Sequence, residues 1–267
     1  MYTAPFRYLR PKTLAEAETL FRESSDARYI AGGQTLIPTM KQRLAAPAQL
    51  IDIARIPSLD FIRREGTMLV IGASTRHADV AASPIVRGAI AALASLAGEI
   101  GDPAVRHKGT LGGSVANNDP AADYPAGVLG LGATVKTMRR AIAADAFFTG
   151  MFETALEPGE IITEIVFPLP LRSAYAKFPN PASRYAMVGV FVARFGNGVR
   201  VAVTGAAPCV FRVPEMEAAL AKDFSPDAIA HIAIAADGLN SDLFGSAEYR
   251  AHLVTVMAKR AVAAALL

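Results

Sequence analysis

Gly101-Asp-Pro-Ala-Val-Arg-His-Lys-Gly-Thr-Leu-Gly-Gly-Ser-Val-Ala-Asn-Asn-Asp-Pro-Ala-Ala-Asp-Tyr-Pro125 is too poor in bulky apolar residues to be an ordinary core element. Gly109, Gly112 and Gly113 permit backbone geometries closed to residues with a Cβ. Around them Thr110, Ser114, Asn117, Asn118, Asp119 and Asp123 gather short hydroxyl, amide and carboxylate groups. A glycine turn flanked by hydroxyls presents backbone N–H groups to an anion. Carboxylates instead accept hydrogen bonds from sugar hydroxyls. The stretch reads either as one wall of a site for a phosphorylated, polyhydroxylated ligand such as a nucleotide, or as a long surface loop rich in turn residues.

Upstream, residues 12–23 predict a helix, with Thr13 as cap, Glu16 three residues on and Leu14, Leu20 and Phe21 on one side. Tyr29-Ile30-Ala31 predicts a short strand that runs into Gly32-Gly33-Gln34-Thr35 and a helix from Leu36 to Leu44, with Pro38 in its first turn. Leu50 to Ile53 predicts the next strand. Strand, Gly-Gly turn and helix start are the parts of a phosphate site. The turn lacks the spaced glycines of a dinucleotide-binding Rossmann unit, and Asp52 is the nearest acidic candidate on the following strand. Alone, Gly32-Gly33 is simply a tight turn. Together with the stretch downstream, two such turns could clamp one pyrophosphate from opposite sides.

Residues 59–64 and 67–73 predict a hairpin around Glu65-Gly66, and Ser74-Thr75 predict caps for a helix running to Val80. Ile85 to Ile100 predicts one buried, alanine-rich helix, and Phe147-Phe148 two core aromatics at the edge of a turn. Glu160 to Pro168 predicts a strand. The proline-rich run from Pro168 to Pro181 marks the main domain boundary. Beyond it, Ala186–Arg194 and Gly198–Ala206 predict a hairpin through Gly196-Asn197-Gly198. Helices are predicted over 213–222, 226–236 and 247–267. The pattern is α+β, divided into residues 1–55, 56–170 and 171–267.

The chain has 267 residues, 52% of them hydrophobic and 19% charged, which describes a folded protein with substantial cores. A net charge of +3, with no basic run and no interleaved aromatics, gives nucleic-acid binding little support. Cys209 is the only cysteine, so this chain alone forms no disulfide and holds no cysteine-ligated iron–sulfur cluster. His77, His107, His231 and His252 have no metal-ligand spacing, and no metal site is expected. Without a secretory h-region or a bilayer-spanning apolar run, the chain is expected to be cytoplasmic, with no transmembrane segment. No acid–base dyad or nucleophile constellation is evident, so no catalytic residue is assigned.

Several motifs in order carry a resemblance that runs nearly end to end. They are Ala31-Gly32-Gly33-Gln34-Thr35-Leu36-Ile37-Pro38, Thr110-Leu111-Gly112-Gly113-Ser114, Asn118-Asp119-Pro120 through Asp123 and Pro125, and Glu157-Pro158-Gly159-Glu160. Ser183-Arg184-Tyr185-Ala186 and Ala247-Glu248-Tyr249-Arg250 complete the series. The chain resembles the medium, FAD-binding subunit of aerobic carbon monoxide dehydrogenases and related molybdenum hydroxylases, and is similar to the flavin domain of xanthine dehydrogenases. The resemblance implies a two-part FAD-binding domain of the PCMH type followed by a small α+β C-terminal domain.

It further implies that Ala31 to Leu36 and Thr110 to Ser114 hold the FAD pyrophosphate, through backbone N–H groups and the hydroxyls of Thr35, Thr110 and Ser114. Gly32, Gly33 and Gln34 belong to the first turn, Gly112 and Gly113 to the second. Asp123 corresponds to a carboxylate that binds a cofactor hydroxyl, with Asn117 on the same wall. Ile100 and Ile162 correspond to apolar positions packing on the cofactor, Tyr185 to a tyrosine near the flavin ring, and Lys177 to a lysine close to that ring. Relatives often carry histidine and serine where this chain has Gln34 and Thr35. With no histidine in the loop, FAD is expected to be non-covalent. The implied role passes electrons from iron–sulfur clusters on a small partner subunit through FAD to an acceptor. Molybdopterin would lie on a large subunit, in a heterotrimer that itself dimerises. The rival readings are a free-standing FAD oxidase and a flavin-binding scaffold without a redox role.

Overall fold

The computed structural model describes residues 2–267. The first layer comprises β1 (Arg7–Leu9), α1 (Leu14–Arg22), β2 (Ala27–Ile30), α2 (Leu36–Lys41) and β3 (Gln49–Asp52). Its strands form a three-stranded parallel sheet in the order β1-β3-β2. Parallel neighbours need crossovers, and α1 and α2 supply them. Thr13 caps α1 as its spacing predicts, accepting from the Glu16 N–H at 3.2 Å, while the Glu16 carboxylate accepts from the Lys12 N–H at 2.7 Å. Strand β3 is the middle strand and is buried throughout, which explains its unbroken Leu50-Ile51.

The second unit holds β4 (Ile62–Glu65), β5 (Met68–Gly72), α3 (His77–Ala82), α4 (Pro84–Ala89), α5 (Ala91–Gly98), α6 (Pro103–Arg106), α7 (Leu111–Asn117) and α8 (Tyr124–Gly130). It continues through β6 (Thr134–Thr137), β7 (Ala141–Ala143), α9 (Ala144–Phe147), β8 (Phe148–Gly150), β9 (Glu153–Thr154) and β10 (Ile162–Pro168). Five antiparallel strands form its main sheet in the order β4-β5-β10-β6-β7. The Gly101–Pro125 stretch is largely helical rather than a loop, and it lies across one end of this sheet. The single helix expected from Ile85 to Ile100 is two. Ile90 leaves the helical conformation (φ −144°, ψ 80°) and buries its side chain between α4 and α5.

The third unit is β11 (Arg172–Pro179), β12 (Ala186–Phe195), β13 (Gly198–Thr204), β14 (Phe211–Arg212), α10 (Pro214–Lys222) and α11 (Ala247–Leu266). Its four antiparallel strands run in sequence order. The proline-rich boundary is narrower than the composition implies, because the chain passes from β10 to β11 within residues 169–171 and most of the run is strand. The helix expected over 226–236 is a single turn at Asp227–Ile229. The Ile232 carbonyl, which a helix would have used internally, accepts from the Thr255 hydroxyl of α11 at 2.8 Å.

Strand β12 fastens this unit to the one before it. Val188, Val190 and Val192 enter the core under α10 and α11, while Phe191 and Ala193 enter the core of the second unit. Phe191 seats against Gly127 and Gly130 of α8, and a Cβ on Gly130 would stand 3.0 Å from its ring. No helix among the described residues is long and apolar enough to cross a membrane.

Candidate functional site

β2 delivers the chain into the first glycine turn, where Gly33 adopts φ +70°, a left-handed geometry suited to glycine. The N–H groups of Gly32, Gly33, Gln34, Thr35 and Leu36 find no acceptor among the described residues. Thr35 occupies the cap position of α2, yet its side chain makes no capping bond. The start of α2 is thus a set of unsatisfied donors, the arrangement that suits an anion.

The second turn is built differently. The Thr110 hydroxyl accepts from the Gly113 N–H at 3.2 Å, the Leu111 N–H donates to Thr75 O at 2.9 Å and the Gly112 N–H to Ala73 O at 2.8 Å. Its N–H groups are already engaged, contrary to the expectation that both turns present them. Gly112 serves close packing instead, since a Cβ there would stand 2.5 Å from the Ala73 Cβ. What this turn offers the cleft is hydroxyls, from Thr110 and Ser114.

The two turns meet. A Cβ on Gly32 would stand 2.3 Å from Lys108 O and 2.6 Å from the Gly109 Cα, so backbone packs on backbone. Between and beyond them opens a cleft of about 1000 Å³ bounded by all three units. That volume lies at the upper end of small-molecule sites. Ala31, Gly32, Gly33, Gln34, Thr35 and Leu36 line it from one side, and Thr110, Gly112, Gly113, Ser114 and Asn117 from the other. Ile100, Ile162 and Asp123 also line it, as does the half-exposed Tyr185.

Lys177 does not line the cleft. It sits behind Asp123, its side chain 2% exposed, with Nζ donating to Asp123 Oδ2 at 3.1 Å and to Glu99 O at 2.9 Å. The Tyr175 hydroxyl donates to the other Asp123 oxygen at 2.5 Å. Burial pushes the Asp123 carboxyl up, opposed by Lys177 and by the Tyr175 hydroxyl. The resemblance implies a lysine close to the flavin ring at Lys177; in the fold it is the counter-ion of a wall residue, because alternate residues of β11 face the cleft-side helices.

Several further residues line the cleft to which the sequence pattern assigns no site role. Phe21 stacks on Tyr29 at 4.8 Å, and Gly159 (φ +74°) packs over Phe21. Glu160 is fully buried at its side chain, and the Arg140 fork holds its carboxylate down to about 2. The Ser74-Thr75 pair does not cap a helix: Arg76 holds that position, while Thr75 donates to Phe61 O at 3.1 Å. This pairing delivers His77 to the cleft wall.

Burial, reinforced by Arg106, pushes the His77 imidazole down to about 4. The folded chain holds it neutral, whereas the unfolded chain protonates it near the ordinary value of about 6.5. Stability is therefore full above about pH 6.5 and falls as the pH drops towards 4, by about 3 kcal/mol in all. Chemical denaturation across that window is expected to show this slope, and His77→Gln to flatten it. The Glu160 contribution is lost only at lower pH, between its unfolded value of about 4.5 and 2.

Two family profiles divide the chain. The one described as "FAD binding domain in molybdopterin dehydrogenase" matches residues 4–170. The one described as "CO dehydrogenase flavoprotein C-terminal domain" matches residues 173–265. The carbon monoxide dehydrogenase medium chain of Hydrogenophaga pseudoflava is 39% identical, across 97% of this chain and 96% of that one. The nicotine 6-hydroxylase medium subunit of Paenarthrobacter nicotinovorans is 35% identical, across 96% and 95%. A solved structure of reconstituted carbon monoxide dehydrogenase from Oligotropha carboxidovorans superposes with a TM-score of 0.92 at 35% identity, across 99% of each chain. With the turns, the cleft and both profiles in agreement from end to end, the chain belongs to the FAD-binding flavoprotein family of the molybdopterin dehydrogenases, with the C-terminal domain of the carbon monoxide dehydrogenase type.

Proposed function

We propose that this chain is the FAD-binding electron-transfer subunit of a molybdenum-containing hydroxylase or dehydrogenase. The observation that carries the reading is the pair of glycine turns packed against each other at one cleft, with five unengaged N–H groups at the start of α2. The residues fit a flavin dinucleotide. The N–H groups of Gly32 to Leu36 and the hydroxyls of Thr35, Thr110 and Ser114 would hold the diphosphate. Asn117 and Asp123 would take ligand hydroxyls, with Lys177 and Tyr175 fixing the Asp123 carboxylate from behind. Ile100, Ile162 and Tyr185 would flank the isoalloxazine. Bound non-covalently, FAD accepts and returns electrons; the chain orients it and shields it from water.

A single cysteine cannot ligate an iron–sulfur cluster by itself, which supports clusters on a small partner subunit and molybdopterin on a large one, in a proposed cytoplasmic heterotrimer that dimerises. The full chain, purified and stripped of flavin, is expected to bind FAD with quenching of flavin fluorescence. Reduction of that FAD by substrate is expected only once both partner chains are added. A chain that binds no FAD would refute the cofactor reading, and turnover of an artificial acceptor by the chain alone would replace electron transfer with an oxidase.

A further inference from the structure

Behind the meeting of the two turns sits a polar ring with no assigned task. His77 begins α3, is 4% exposed and lines the cleft. Its backbone N–H donates to Gly109 O at 3.0 Å, and a Cβ on Gly109 would stand 2.5 Å from His77 Nε2. Gly109 is also the residue on which Gly32 packs, so imidazole, second turn and first turn form one stack. The ring therefore backs the second turn at the residue on which the first turn packs. Its Nδ1 has no hydrogen-bond partner, and neither has the hydroxyl of Tyr124, whose ring centroid is 5.3 Å away. Buried polar groups are nearly always paired, and the exceptions concentrate where a ligand completes them.

We propose that His77 is a ligand of the diphosphate of the bound dinucleotide, donating through its imidazole, and that the imidazole takes up a proton as that anion enters the cleft. The inference rests on the FAD reading above. The groups facing the ring favour a large response. Burial and Arg106 of α6 together keep it neutral in the free chain, and Arg76 and Lys108 are the cations next to His77 and Gly109 in the chain. Helices α5 and α7 bring no charged side chain, α8 brings the neutral Tyr124, and on α3 itself Asp79 is exposed. A diphosphate beside the ring counters both effects, because an adjacent anion favours the charged imidazolium.

Nitrogen NMR on the full chain labelled at histidine tests this directly. The chain has four histidines, and the spectrum of His77→Gln assigns the signal. Without FAD the His77 signal is expected to stay neutral to about pH 4. With FAD its midpoint is expected to rise by about two units, and FAD affinity to increase roughly fourfold from about pH 8 to about pH 5.5. Riboflavin, which lacks phosphate, is expected to leave the midpoint where it was, and His77→Gln to bind FAD with a flat pH profile. If FAD binds and the His77 midpoint does not move, or if riboflavin moves it equally, the inference is overturned while the cofactor reading stands. If the wild-type chain binds no FAD at all, both fall together.

Discussion

Gly32→Ala is expected to abolish FAD binding and to lower the unfolding free energy by about 3 kcal/mol. The added methyl would stand 2.3 Å from Lys108 O and 2.9 Å from the Lys108 carbonyl carbon. Both are backbone atoms, so no side chain can swing aside; the turns must separate. That movement spreads the N–H groups of residues 32–36 away from the hydroxyls of Thr110 and Ser114. Affinity is therefore expected to fall at least about 100-fold, since several hydrogen bonds to one anion are lost together. Gly88→Ala is the matched control. A Cβ there meets nothing within 4 Å and the site is helical, so the change is expected to stabilise by about 0.5–1 kcal/mol with FAD binding unchanged. Fluorescence titration and urea unfolding of the pair separate clash from generic glycine effects. Equal FAD binding by both variants would refute the clamp.

Lys177→Met is expected to cost about 3–5 kcal/mol, because it leaves Asp123 buried and unpaired. Both side chains are almost fully enclosed, at 2% and 4% exposure. The sign with pH follows from the carboxyl. Burial already pushes Asp123 up, and without Lys177 it rises further. A carboxyl whose folded value exceeds its unfolded one loses stability as pH rises, so the deficit of the variant is expected to shrink in acid. Pairing Lys177→Met with Asp123→Asn removes the stranded charge and is expected to recover more than half of the loss. A double-mutant cycle by urea unfolding measures the coupling. Additive losses would mean that the ion pair is incidental to the wall.

Much of this architecture could be read from the chain because its signals are local. Thr13 and Glu16 mark the start of α1, Glu65-Gly66 the first hairpin, and Gly196 to Gly198 the second. The two glycine turns were legible as phosphate parts, and the ordered motifs joined them into one cofactor site. What escaped depends on partners distant in sequence. The N–H groups of residues 111–113 are consumed by carbonyls of residues 73 and 75, which no local pattern announces. The pairing of Lys177 with Glu99 O and Asp123, set by the register of β11, is likewise invisible to a local pattern. His77 read as an ordinary helix residue, since only the meeting of the turns gives it significance. The Pro226–Ala236 helix failed for a related reason: its carbonyls have competing donors on α11.

The double-sided strand β12 has a consequence for synthesis. A ribosome that has released residues 1–170 has made the second unit without the wall that Tyr175, Phe191, Ala193 and Ala202 complete. The face of α8 around Gly127 and Gly130 then stays open and greasy until some twenty further residues emerge from the exit tunnel. The nascent chain should accordingly recruit holdase chaperones late rather than early. Messages cut short ahead of β12 should yield products that proteases clear, not a stable flavoprotein fragment.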